Sequence, residues 1–328
     1  MRPSVADVAK LAGVSTATVS RVLNGSASLR PSTRNRVQQA IQTLGYQLPV
    51  SNSAEKDKLT KTVMILVPDI ENPFYSGVVH GIENTAKEQN FSVMLTNTQG
   101  TNDSMQRYLQ QLQQHQICGV ISLDPMTAQS TLPQDIALLP WIACSEYVPH
   151  SPMAYVSIDH HQAAKDAVLY LISQGHKKIA FVTSDESYLY AQRRRAGYED
   201  ALRSAGIAIR PDYIQAVGGL DYPLGELGAH RLLTLNEPPT AIFAVSDTLA
   251  IGVMKAIFRA KLRIPEDIAV IGFDDIPIAN MFEPSLTTIA QPSFEIGQKA
   301  MKMLIHRING ENVQIKTISH TLVIRDTA

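Results

Sequence analysis

Cysteine is nearly absent, with two residues in 328, and Cys118 and Cys144 lie in apolar surroundings without the spacing of metal ligands or of a disulfide framework. Both are expected to be reduced core residues. No apolar run approaches the length of a membrane span, and Met1-Arg2-Pro3-Ser4-Val5-Ala6-Asp7 holds no apolar stretch of signal-peptide length. A folded protein that stays in the cytoplasm is expected. Charged residues make up only 18% of the chain against 45% hydrophobic ones, which excludes a largely disordered chain. The signatures of catalysis are missing too. There is no G-x-S-x-G, no G-x-x-x-x-G-K-[ST], no H-E-x-x-H and no G-x-G-x-x-G after a strand; Gly218-Gly219 follows a strand but lacks the spacing. His160-His161 is the only adjacent histidine pair, and neighbours on a helix point about 100° apart, a poor geometry for one metal. No enzyme activity, metal or cofactor is expected, and the pair reads as a helix start.

What is present is unevenly spread. Residues 1–61 carry nine Lys/Arg against three Asp/Glu, a net +6, and the remaining 267 residues carry 20 against 27, a net −7. A basic head on an acidic body points to an anionic partner for the head alone, most simply nucleic acid; a solvated basic surface is the alternative. Within the head, residues 4–46 read as three short helices without a strand, over about 5–12, 16–24 and 32–44. Gly13-Val14-Ser15 supplies a turn residue, a buried apolar residue and an N-cap, so the first two helices meet at a tight corner. The second helix presents Thr16, Ala17, Thr18 and Ser20 near its N-terminus and Arg21 one turn later, with Val19, Val22 and Leu23 as its apolar face. Small polar residues followed by an arginine suit insertion into a major groove, where arginine grips guanine O6 and N7. The polar stretch from about 48 to 61 has no apolar period and reads as a linker.

Beyond it, short apolar strands alternate with amphipathic helices in two series. The first has strands near 63–67, 92–96, 119–123, 141–144 and 155–158, with helices near 74–89 and 103–115. The second has strands near 179–182, 213–217, 241–245 and 268–273, with helices near 191–204, to about 235, and 248–260. Such alternation means parallel sheets covered on both faces, in two similar lobes. Ligands bind such folds at the carboxyl ends of strands, which places a site in the cleft between lobes. Polar and aromatic residues fall at those ends: Asp69 to Tyr75, Glu146, Ser246-Asp247 and Asp274-Asp275. Phe74 and Tyr75 suit core as well as site, and Asp247 suits a helix N-cap equally well. Aromatics and acids converging on a cleft without a nucleophile describe a binding site for a polar small molecule.

Together these residues resemble the LacI/GalR family of bacterial transcriptional repressors, over essentially the whole chain. In the head the matches are Asp7-Val8-Ala9, Ala12-Gly13-Val14-Ser15, Thr18 to Asn24, Thr33-Arg34 and Gly45-Tyr46. In the body they include Pro73-Phe74, Arg194 through Gly197-Tyr198, Asp247, Gly272-Phe273-Asp274-Asp275, and Leu286 to Ile289 with Gln291-Pro292. The resemblance implies a helix-turn-helix DNA-binding domain over 1–48, a linker over 49–61 and an effector-binding and dimerisation domain over 62–328. Its N-lobe would comprise about 62–160 plus 290–320, and its C-lobe about 161–289 plus 321–328, in a periplasmic-binding-protein-like α/β fold. It further implies a homodimer on double-stranded operator DNA. A small polar effector, a nucleoside first and a sugar as the alternative, would modulate DNA affinity; a solute-binding protein is the less favoured reading.

Carried onto this chain, the DNA-contacting positions are Ser4, Ser15, Thr16, Ala17, Ser20, Arg21, Asn24, Thr33 and Tyr46, and the effector positions are Phe74, Tyr75, Glu146, Arg194, Leu220, Ser246 and Asp274. Arg194 and Asp274 suit the hydroxyls of a sugar or ribose. Leu220 stands where purine-binding relatives place a phenylalanine on the base. One departure concerns the hinge. The family follows its tyrosine with proline and an alanine-rich helix whose leucine wedges into the minor groove, whereas Tyr46 precedes Gln47-Leu48-Pro49 and the wedge position holds Glu55. A carboxylate facing phosphates cannot replace an apolar wedge, which implies loose half-site spacing or help from a second DNA-bound regulator.

Overall fold

The computed structural model describes residues 4–23, 31–44, 61–98, 117–124 and 138–328, without the side chains of Ser20, Arg21, Leu23, Pro31 and Gln42. Asn24, Tyr46, the linker up to residue 60 and the helix expected over 103–115 lie outside the described residues. The chain divides into two units, Met1–Leu59 and Thr60–Ala328.

The first unit contains α1 (Val5–Ala12), α2 (Thr16–Leu23) and α3 (Pro31–Leu44). Ser4 and Asp7 form a reciprocal capping box at the start of α1: the Ser4 hydroxyl accepts from the Asp7 amide, and Asp7 accepts from the Ser4 amide at 2.8 Å. Gly13 ends α1 at φ +63°, a conformation in which a Cβ is costly, and the chain turns directly to Ser15. There the Ser15 hydroxyl accepts from the Thr18 amide at 3.2 Å, so it caps α2 as its position predicts. Val8, Ala9, Ala12, Val19, Val37 and Ala40 form the buried centre of this unit.

The second unit is built on two six-stranded sheets. One has the order β11-β5-β4-β3-β1-β2, from β1 (Lys61–Val67), β2 (Phe91–Asn97), β3 (Ile117–Ser122), β4 (Trp141–Cys144), β5 (Tyr155–Ile158) and β11 (Lys316–Ile318), and all its strands run parallel. The other has the order β12-β10-β9-β8-β6-β7, from β6 (Ile179–Thr183), β7 (Ile214–Ala216), β8 (Ala241–Ala244), β9 (Ala269–Asp274), β10 (Thr287–Ala290) and β12 (Thr321–Val323), with only β12 antiparallel. Among the described residues the α-helices of this unit are α4 (Pro73–Glu88), α5 (His160–Ser173), α6 (Leu189–Ser204), α7 (Tyr222–Leu233), α8 (Asp247–Arg259) and α9 (Ser293–Ile308). The chain passes from one sheet to the other three times, after β5, after β10 and between β11 and β12. Central strands such as Met64-Ile65-Leu66 are buried on both faces, which is why they read as unbroken apolar runs.

Helices α4 and α9 pack backbone to backbone. A methyl group on Gly81 would overlap the Phe294 carbonyl, and one on Gly297 would overlap the carbonyl of Val78. Cys144 is buried among apolar neighbours, which raises its thiol pKa, while half-buried Cys118 donates to the Thr62 carbonyl at 3.1 Å. Neither forms a disulfide.

Candidate functional site

The carboxyl ends of both sheets face one narrow cavity. The loop after β1 and the start of α4 supply Asn72, Phe74 and Tyr75. Leu123 follows β3, and Ser145 and Glu146 follow β4. His160 opens α5, and Tyr190 and Arg194 come from α6. The remaining walls are Leu220 after β7, Ser246 after β8, Asp274 at the end of β9 and Gln291 after β10. All seven effector positions carried over from the resemblance therefore line one cavity. Phe74 does two jobs: it packs in the core at 8% exposure and meets Tyr75 edge-on, ring centres 5.4 Å apart.

Arg194 is the electrostatic centre. Its guanidinium lies 3.5 Å from the centre of the Phe273 ring, and its Nη1 donates to the Val245 carbonyl. Nε and Nη2 lie 3.4 and 3.3 Å from His160 Nδ1, and Nη2 lies 3.7 Å from Asp274 Oδ1. That same oxygen accepts from Gln291 Nε2 at 2.6 Å. Burial, with Arg194 beside it, lowers the His160 pKa well below the ordinary histidine value, so the ring is neutral and Nδ1 is free to accept. Nε2 then carries the proton and faces Ser157 Oγ, 3.3 Å away, while the Ser157 hydroxyl donates a hydrogen bond to the Ser145 carbonyl at 2.7 Å. Asp274 itself sits at φ +119°, a conformation few side chains adopt, held by this network.

Glu146 belongs to the sheet containing β4 but spends its carboxylate on the other lobe. Oε1 accepts from the Leu189 amide at 2.6 Å and Oε2 from the Tyr190 amide at 3.2 Å, at the N-terminus of α6, where Tyr188 offers no side-chain cap. Burial nonetheless lifts its pKa to about 7, with the two amides and Arg194 opposing the rise. Glu146 thus ties the lobes across the cavity as well as lining it.

Several expectations need correction. Ser246, not Asp247, is the N-cap of α8, its hydroxyl accepting from the Leu249 amide at 3.2 Å. Asp247 is fully buried behind the site, accepting from the Ile276 amide at 2.8 Å and the Thr288 hydroxyl at 2.5 Å. Asp275 turns away from the cavity to pair with Arg325 at 2.6 Å. His160-His161 does open α5 as expected, with its side chains diverging: His160 enters the cavity, while His161 Nε2 lies 3.3 Å from Asp200. Among the described residues no three His, Cys, Asp or Glu side chains gather as a metal site. Sequence reasoning passed over Tyr190, His160, Ser145 and Gln291 as site residues. Tyr190 was findable, since it stands one helical turn before Arg194 and so shares its face.

Burial lifts Asp247 to about 7, with the charge of Asp274 adding to the rise, and lifts Asp274 to about 6. A carboxyl group whose pKa is raised on folding stabilises the fold most below its unfolded value near 4, and that contribution is lost as pH rises through the folded value. The Tm of the chain should therefore fall between pH 5 and pH 8. Asp247→Asn, whose Oδ1 can still accept from Ile276 while its amide donates to Thr288, should flatten that slope. Calorimetric scans of both proteins across the range check it; an unchanged slope would remove Asp247 as its source.

In the first unit, Ser4, Ser15, Thr16 and Ala17 are exposed and Thr33 is half-buried, so the outer side of the helix corner is solvent-facing at these positions.

Comparison with known proteins places these observations. Residues 4–48 match the bacterial regulatory proteins of the lacI family, and residues 168–328 match a periplasmic binding protein-like domain. The HTH-type transcriptional repressor CytR of Escherichia coli strain K12 is 37% identical over 94% of this chain and 90% of its own length. The ribose operon repressor of the same strain is 35% identical, covering 98% of this chain and 97% of its own. Among solved structures, a LacI family transcriptional regulator from Enterococcus faecium with bound ribose superposes with a TM-score of 0.71 at 29% identity, over 81% of this chain and 98% of that one.

Proposed function

The chain belongs to the LacI family of DNA-binding transcriptional repressors, and from that membership we propose that a nucleoside held in the Arg194–Asp274 cavity sets its affinity for operator DNA. The alternative ligand within this reading is a free sugar, as in the ribose-bound relative. The observation that carries the proposal is Asp274 on the cavity wall, approached by Arg194 and accepting from Gln291, a grouping of donors and acceptors that suits vicinal hydroxyls. Phe74, Tyr75 and Leu220 add apolar surface to the lining, against which a flat base can pack. Glu146 lines the cavity and holds the other lobe through its contacts with the Leu189 and Tyr190 amides, so it stands where ligand and lobe closure meet. A ligand moves a two-state equilibrium only by its differential affinity for the two states, so a contact made in the closed cleft alone is the kind that transmits a signal.

In this reading the protein acts in the cytoplasm as a homodimer, each head taking one half-site. Domain bounds of 1–48, 49–61 and 62–328 belong to the same proposal. Thermal-shift measurement with cytidine, uridine, adenosine and ribose tests the effector assignment. A ligand at 100 times its Kd stabilises the folded state by roughly 2.7 kcal/mol, a readily measured rise in Tm. Stabilisation by nucleosides and not by ribose supports the first choice; stabilisation by ribose alone moves the assignment to the sugar.

A further inference from the structure

The walls of the cavity are rich in acceptors and carboxylates and poor in cations. Among the described residues Arg194 is the one Lys or Arg on its walls; the outer pocket that shares Asn72, Tyr75, Tyr190 and Leu220 with it adds Asp69 and Asp185 and no cation, whereas the pocket that shares Ser145, Glu146 and His160 adds Arg193 along with Asp159. Most of that guanidinium is already engaged by Val245, His160 and Asp274. Facing it are the carboxylates of Glu146 and Asp274, and Asp69 and Asp185 are exposed on the outer pocket. Two of the unspent polar atoms share this bias. Gln291 Oε1, on a side chain 5% exposed, is buried without a hydrogen-bond partner, and Asp274 Oδ2 makes no hydrogen bond; both only accept. Ser145 Oγ, on a side chain 8% exposed, is likewise without a partner and can do either.

A phosphate ester at neutral pH offers acceptor oxygens and close to two negative charges, so it needs what these walls lack. Hydroxyl and amino groups offer donors, which the walls can use. We infer that the cavity admits an uncharged, donor-rich ligand and excludes the phosphorylated form of the same molecule. The inference rests on the effector reading above and narrows it: the protein senses the product of phosphate-ester cleavage and ignores the ester. Asp69 and Asp185 add negative charge on the outer pocket beside the cavity and so reinforce the exclusion from that side.

The test is calorimetric titration of the full-length chain with two pairs, cytidine and cytidine 5′-monophosphate, and ribose and ribose 5-phosphate. The expected result is a phosphate ester bound at least tenfold more weakly than its parent in whichever pair binds. The variant Asp69→Asn/Asp185→Asn, which keeps the turn-forming acceptor oxygens for the Glu71 and Ser187 amides, should narrow the ratio several-fold at low salt. An ester bound within tenfold of its parent, or more tightly, overturns the exclusion while leaving the effector reading in place. A ratio that the double variant does not move assigns the discrimination to shape and overturns the charge argument. Failure of all four compounds to bind overturns the effector reading, and this inference with it.

Discussion

Asp274→Ala should leave operator binding within about twofold of wild type and abolish the effector's influence on it. The carboxylate ends β9 inside the cavity and carries the hydrogen bond from Gln291 and the approach of Arg194. Charge-assisted hydrogen bonds of this kind contribute roughly 1.5–3 kcal/mol each, so losing the ligand's contact to Asp274 costs on the order of 10- to 150-fold in affinity. The DNA arm has a separate source in residues 4–46. Because φ at Asp274 is +119°, alanine adds backbone strain to the lost contact, and Asp274→Asn serves as the matched control. Asparagine retains an acceptor for Gln291 and tolerates positive φ better than most residues, yet loses the charge. Fluorescence anisotropy on operator DNA, with effector titrated against wild type and both variants, reads both effects. An effector response that survives in both variants would assign the signal to other wall residues.

The second large effect belongs to the head. Arg21→Ala should cost about 1–3 kcal/mol on the operator while changing non-specific binding little, because a bidentate arginine–guanine contact carries sequence information and a phosphate contact does not. The side chain of Arg21 lies outside the described residues, so this expectation rests on its place in α2, one turn beyond Thr16 and Ala17, both exposed. Mobility shifts with operator and scrambled duplexes decide it. Equal weakening on both would make Arg21 a phosphate contact.

How much of this was readable from the residues varies by element. The head corner was legible because Gly13 and Ser15 are punctuation with a local mechanism, a positive-φ turn and an N-cap, and both occur as expected. The parallel strands were legible because burial on both faces leaves only apolar residues. The reading from residue pattern stopped at Phe273, short of β10, α9, β11 and β12. Strands β11 and β12 have three residues each, at sheet edges, where little apolar period accumulates. Within the site, family positions located Arg194, Glu146 and Asp274, but not their division of labour. That Glu146 caps α6 across the lobes, that His160 accepts from Arg194 and that Asp247 lies behind the wall are tertiary facts, made by residues 29 to 44 positions apart. No sequence period encodes them. Ser246 and Asp247 show the same limit at close range: either side chain can cap a helix, and only the burial of Asp247 against Ile276 and Thr288 decides between them.

The central claim is that operator affinity is set by a ligand in the Arg194–Asp274 cavity. Its most direct test is operator affinity measured across a salt series on a duplex selected from a random pool, with and without millimolar nucleosides and ribose, for wild type and Asp274→Asn. The account predicts that affinity falls linearly with salt on logarithmic axes, that at least one uncharged ligand shifts the wild-type line, and that the shift disappears in the variant. A line that no ligand moves, or a shift undiminished in Asp274→Asn, would contradict it.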